Sequence, residues 1–130
     1  MNYLLDTVTL IRHFSEQGKI GKQAAFILDG IEKNTYDNFS ISVVSLMEVM
    51  YLAEKKRIAI DLHKTLELIQ HSSHYDVVNL TPEILITADS IDFYELHDRL
   101  ILATTKWLDI PIISNDSLFS QVPGITVIWD

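Results

Sequence analysis

Short apolar blocks alternate along this chain with longer stretches in which apolar residues recur every three or four positions. Five blocks read as strands: Tyr3 to Leu5, Phe39 to Val43, Asp76 to Leu80, Ile110 to Ser114 and Ile125 to Trp129. They are rich in Val and Ile and lack clear polar alternation, which is the pattern of a parallel sheet covered on both faces. Helical patterns separate them. Ala24, Ile27, Leu28 and Ile31 follow the i, i+3, i+4, i+7 rule, and Leu62, Leu66 and Ile69 mark another amphipathic helix. Thr81-Pro82-Glu83 reads as an N-cap, a first-turn proline and an early acidic residue. Leu100, Ile101, Thr104 and Leu108 form one face of a helix that stops before Asp109 and Pro111. Val44 to Arg57 reads as helical but is apolar nearly all round, so burial or a subunit interface is expected for it. Strands alternating with helices predict a doubly wound α/β domain.

Composition narrows the options. The 130 residues are one domain's worth, taken as a single domain over 1–130, and 48% are hydrophobic, enough to build a core and to exclude general disorder. With no cysteine, disulfides, zinc-thiolate sites and thiol nucleophiles are excluded. No apolar run reaches the roughly 18 residues of a membrane span. Asp6 interrupts the apolar start and no basic region precedes it, so a signal peptide is not expected and the cytoplasm is the expected compartment. The formal charge of -8 suits cations better than phosphates.

Most carboxylates read as solvated surface charges: Glu16, Asp29, Glu32, Asp37, Glu54, Glu67 and Asp109 fall on polar faces or in turns. Four sit differently. Asp6 and Asp116 each follow an apolar strand, where open α/β sheets place their ligands, although each also suits a helix N-cap. Glu48 lies inside the apolar run Val43 to Leu52, where an unpartnered carboxylate is expensive unless it reaches a cation or water. Asp98 opens a strong amphipathic helix, where favourable dipole placement or a pair with Arg99 also accounts for it. A doubly wound sheet gathers strand ends at one edge, and like charges packed there repel unless something positive lies between them. An all-oxygen donor set favours a hard cation, magnesium or manganese. His97 reads as a structural or substrate-contacting residue, while His13, His63, His71 and His74 show no ligand spacing.

These elements occur in a recognisable order: Tyr-Leu-Leu-Asp6-Thr7, then Ser45-Leu-Met-Glu48-Val49, then His97-Asp98-Arg99-Leu-Ile-Leu-Ala-Thr104, then Ile-Ile-Ser114-Asn115-Asp116. The chain resembles the PIN domain family over essentially its whole length, and within it the small toxin ribonucleases of VapC type. The resemblance implies an α/β/α sandwich with a parallel sheet of four or five strands. It also implies an acidic quartet of Asp6, Glu48, Asp98 and Asp116 binding one or two divalent metals, cleavage of RNA, an antitoxin partner and a homodimer. Asp6 and Asp98 are assigned as primary metal ligands, with Glu48 and Asp116 completing the shell and Thr7 and Ser114 orienting the carboxylates. Arg12 and Arg99 are candidate RNA contacts within a basic rim that includes Lys19, Lys22, Lys55, Lys56 and Arg57. Two divalent ions would halve the net charge. Many relatives carry a further acid just after the last Asp, where this chain has Ser117 to Ser120, which leaves the second metal position less secure than the first. Two other readings stand beside this one. An aspartyl-phosphate phosphatase would use Asp6 as nucleophile, but it wants a second Asp where Val8 stands, and a receiver domain wants a Lys better placed than Lys106. A catalytically inactive binding module would present Val44 to Leu52, Trp107 and Trp129 to a partner, although core packing is the plainer expectation for both tryptophans.

Overall fold

The computed structural model describes residues 1–33 and 36–130, with Glu32 described in its backbone alone. The expected solvated charge at Glu32 therefore lies outside the described residues. Strands β1 (Asn2–Leu5), β2 (Asn38–Ser42), β3 (Tyr75–Val78), β4 (Ile112–Ile113) and β5 (Val127–Ile128) form one sheet. Its order is β3-β2-β1-β4-β5 and every pairing is parallel. The helices among the described residues are α1 (Thr7–Ser15), α2 (Lys22–Asp29), α3 (Val43–Glu54), α4 (Leu62–Gln70), α5 (Pro82–Asp89) and α6 (Leu96–Leu108). Short 3-10 turns cover Gly30–Lys33 and Ser117–Gln121.

The strand pleat divides the core in two. Leu4 and Ile112 face one cluster, built with Ile84 and Ala88 of α5, Leu100 to Ala103 of α6, and Phe119. Tyr3, Leu5, Phe39, Ile41 and Ile113 face the other, built with Leu10 of α1, Ala24 and Leu28 of α2, and Ile69 of α4. Successive side chains leave a strand on opposite faces, so neighbours such as Leu4 and Leu5 serve different clusters. α3 spans both, with Val44 in the first and Leu46 and Val49 in the second. The result is a three-layer α/β/α sandwich with helices on both faces of a five-stranded parallel sheet.

Several boundaries differ from the sequence pattern. Val43 starts α3 rather than ending β2, because the Ser42 hydroxyl accepts the Val44 amide at 3.0 Å and caps the helix. Thr81 caps α5 as expected, accepting from Ile84 N at 3.3 Å. β3 is an edge strand with Asp76 and Val77 exposed, so it is not covered on both faces. α3 buries only part of its surface, leaving Val43, Met47, Met50 and Tyr51 exposed. Trp107 is 48% exposed on α6 rather than packed in the core, whereas Trp129 packs against the second cluster. No helix among the described residues is long and apolar enough to cross a membrane.

The end of β5 is pinned to the start of α2. Ala24 N donates to the Trp129 carbonyl at 3.0 Å, and a Cβ on Gly21 would overlap that same carbonyl. Backbone on backbone leaves little room to relax. Gly21→Ala is therefore expected to destabilise the protein by about 1–3 kcal/mol, the usual range for overpacking, read as a lower Tm in thermal denaturation.

Candidate active site

The sheet order reverses between β1 and β4: the chain leaves β1 toward β2 and β3 and later returns to place β4 on its other side. This is the topological switch point, where open α/β sheets form a crevice beyond their carboxyl ends. Asp6 follows β1 and Asp116 lies just past β4. Each caps the helix or turn that follows it. Asp6 Oδ1 accepts from Thr9 N at 2.8 Å, and Asp116 Oδ1 accepts from Leu118 N at 2.9 Å. The Ser114 hydroxyl bonds to the Asp6 carboxylate and accepts from Asp116 N at 3.1 Å, tying the two acids together.

Glu48 is brought in by α3. The Thr7 hydroxyl lies 2.6 Å from Glu48 Oε1 and 2.9 Å from Ser45 Oγ. Thr7 has one proton and the carboxylate can only accept, so that proton goes to Glu48 and Ser45 donates to Thr7. Asp98 is brought in by α6, on a turn whose cap is Glu95: Glu95 Oε2 accepts from Asp98 N at 2.6 Å. His97 Nδ1 lies 3.6 Å from Glu95 Oε1. Asp6, Glu48, Asp98 and Asp116 all line one open cleft of about 440 Å³, with Val8, Ile11, Leu52, Ile101 and Phe119 supplying apolar wall.

A family model for the PIN domain matches residues 3–125. The chain belongs to the PIN domain family. Solved structures share the fold at low identity. A chain of VapBC2 from Rickettsia felis, bound to a promoter DNA fragment, superposes with a TM-score of 0.73 at 16% identity and 100% coverage of both chains. One from DNA-bound VapBC of Salmonella typhimurium gives 0.71 at 21% identity, covering 98% of this chain and 97% of that one. The PIN domain endonuclease Utp24 gives 0.51 at 14% identity, covering 97% of this chain and 82% of its own. No curated protein sequence matches significantly.

The cleft of this PIN domain is electrostatically strained. Burial pushes the Asp6 carboxyl up, against hydrogen bonds from Ser114 and Thr9 that pull it down, and the Asp116 charge adds to the rise. Burial also raises Glu48, opposed by Thr7 and His97 and reinforced by Glu95 and Asp6. Asp98 is pushed up to about 6 by burial and then by Glu95, Glu48, Asp116 and Asp6. Each of these groups resists ionising beside the others. A donor set made only of carboxylate oxygens suits a hard divalent cation. Among the described residues, though, no three His, Asp or Glu side chains close around one point as a formed ligand cage. The set therefore fits such an ion in chemistry, and gripping it from three sides takes side-chain rotation.

Not every candidate from the sequence reaches the cleft. The Arg99 guanidinium turns to α5, where Nε donates to the Ala88 carbonyl at 2.7 Å. Arg12 lines a neighbouring groove. Lys106 lies in the last turn of α6 and lines a different cavity with Ser90 and Pro123, away from Asp6. Glu95, which caps the turn carrying Asp98 and raises both Asp98 and Glu48, is not singled out by the sequence pattern. Its one signal is an acid three positions before Asp98, at the position where a helix cap is wanted.

The raised Asp98 value has a direct consequence. A carboxyl whose folded pKa exceeds its ordinary 3.8 contributes stability below that value and loses it as pH rises through about 6. Asp98→Asn cannot ionise. In EDTA at pH 7.5 it is expected to raise Tm by roughly 3 °C, about 1 kcal/mol for a chain of this size, and to change Tm little at pH 4. Asp98 is half-buried, so screening keeps the gain modest. An unchanged Tm at pH 7.5 would show that the acids do not repel one another.

Proposed function

We propose that this PIN domain, a single domain over 1–130, is a divalent-metal-dependent endoribonuclease acting as the toxin of a toxin–antitoxin pair in the cytoplasm. The observation that carries this reading is the convergence of Asp6, Glu48, Asp98 and Asp116 on one cleft at the switch point of the sheet. The VapBC neighbours and the endonuclease Utp24 support it by fold. In this reading Asp6 and Asp98 hold magnesium or manganese, and Glu48 and Asp116 complete the shell. The bound ion supplies Lewis acidity, which lowers the pKa of a water and offsets the charge of the phosphodiester. The protein's own contribution is to hold the acids still. Ser114 orients Asp6, and Thr7 orients Glu48 through a hydroxyl that is itself held by Ser45. His97 and Glu95 lie within electrostatic reach of Glu48, and in this reading His97 contacts substrate.

The test is incubation with total RNA, with and without magnesium or manganese, followed by mapping of the cut sites. Asp6→Asn and Asp98→Asn are expected to abolish cleavage while keeping the fold by circular dichroism. Thr7→Val, which removes the hydroxyl that holds Glu48 and also leaves Ser45 without that partner, is expected to lower activity by about 10–100-fold, the usual effect of a ligand-orienting residue. Full cleavage by Asp6→Asn in EDTA would refute the mechanism.

The partners in this reading are RNA, an antitoxin protein and a second copy of the chain. The exposed stripe Val43, Met47, Met50 and Tyr51 on α3 supports the last, because it is apolar and runs along one helix face. Met47→Glu with Met50→Glu is expected to convert a dimer to a monomer in light scattering coupled to gel filtration. A double variant that stays dimeric would place the contact elsewhere.

A further inference from the structure

Beside the carboxylate cleft lies a second groove of about 610 Å³, lined by Arg12, Lys19, Lys22, Asn115, Trp129 and Asp130, among others. Asn115 lines both, so the two adjoin. The chain has ten Lys and Arg against eighteen Asp and Glu, and three of those ten cations face this one groove. None of these three forms an ion pair among the described residues. Asp130 is the acid that shares the groove with them.

The groove is also built rather than loose. Arg12 Nη1 donates to the Lys19 carbonyl at 2.8 Å, which fixes the guanidinium against the loop that carries Lys19. Gly18, at φ +88°, lets that loop close over the Arg12 stem, since a Cβ there would come within 2.9 Å of Arg12 Cγ. Gly21 lets its own backbone pack against Trp129, just past β5. A cation already held in place gives up less freedom when an anion binds.

We propose that this groove is a phosphate subsite for single-stranded RNA, in which Arg12, Lys19 and Lys22 hold the backbone beside the phosphodiester that lies in the carboxylate cleft. This rests on the ribonuclease reading of that cleft. It adds where the strand runs: over Asn115, out of the acidic cleft and into the cationic groove. The groove supplies the attraction for phosphate that the net charge denies the molecule as a whole.

The test measures fluorescence anisotropy of a labelled 12-nucleotide single-stranded RNA of mixed sequence in magnesium, with Asp98→Asn as the non-cleaving background. Lys19→Glu with Lys22→Glu is compared with Lys64→Glu with Lys106→Glu, which changes net charge equally but lies outside the groove. The groove pair is expected to weaken binding at least tenfold. It should also flatten the dependence of log Kd on log salt by about 0.7 for each phosphate that the protein no longer neutralises. The control pair should change Kd less than threefold. A second measurement leaves the protein untouched: single methylphosphonates placed along the RNA should weaken binding at one or two positions, and that weakening should vanish in the groove pair. Equal effects of both pairs would reduce the groove to bulk charge and overturn the proposal. So would a groove pair that keeps its RNA affinity but loses affinity for poly-glutamate, which would assign the groove to an acidic protein segment. If RNA binding follows the groove but unmodified protein cuts no RNA, the nuclease reading fails alone. If RNA is cut and the two pairs behave alike, the groove fails alone.

Discussion

A carboxylate that caps a helix cannot turn away from its neighbours. Asp6 and Asp116 each commit Oδ1 to the first turn after their strand. Hydrogen bonds to the backbone thus hold the rotamers of two carboxylates past adjacent strands of the sheet. Ser114 bonds to both residues and sets their relation to each other. Glu48 and Asp98 come from α3 and α6, whose buried faces pack into the core. Turning Asp6 or Asp116 away would mean breaking a cap, and moving the backbone that carries Glu48 or Asp98 would mean unpacking a helix. The sandwich therefore holds together charges that would separate in solution, and the upward pKa shifts of Asp6, Glu48 and Asp98 record that constraint.

The same constraint explains what is legible in the chain. Periodicity locates the strands and helices because burial decides both, and Glu48 stands out as a charge inside an apolar run. For Asp6 and Asp116, cap and cleft residue look like alternatives in the sequence. In the structure both hold, since one oxygen serves the cap and the same residue lines the cleft. Arg99 misleads for a geometric reason. It neighbours Asp98 in sequence, but adjacent residues on a helix lie about 100° apart, and Arg99 faces α5 instead. Glu95 is hidden because Phe93 to His97 carries no periodic pattern, and Glu is not among the preferred cap residues. The exposure of β3 depends on strand order, which no local pattern encodes.

Net charge is a poor guide to this surface because its charges are segregated. The cleft concentrates acids, while the adjoining groove concentrates cations that form no ion pair among the described residues. A molecule of charge -8 repels an RNA strand at long range, and salt screens that repulsion beyond about 10 Å at 0.1 M. Only contacts at close range would then favour the strand, and in the proposed reading those are local to the groove. In the proposed reading this arrangement places binding and chemistry on opposite sides of Asn115. In that reading a divalent ion held by the cleft acids would offset the charge of the reacting phosphodiester, while Arg12, Lys19 and Lys22 would hold a neighbouring phosphate of the same strand and so orient it.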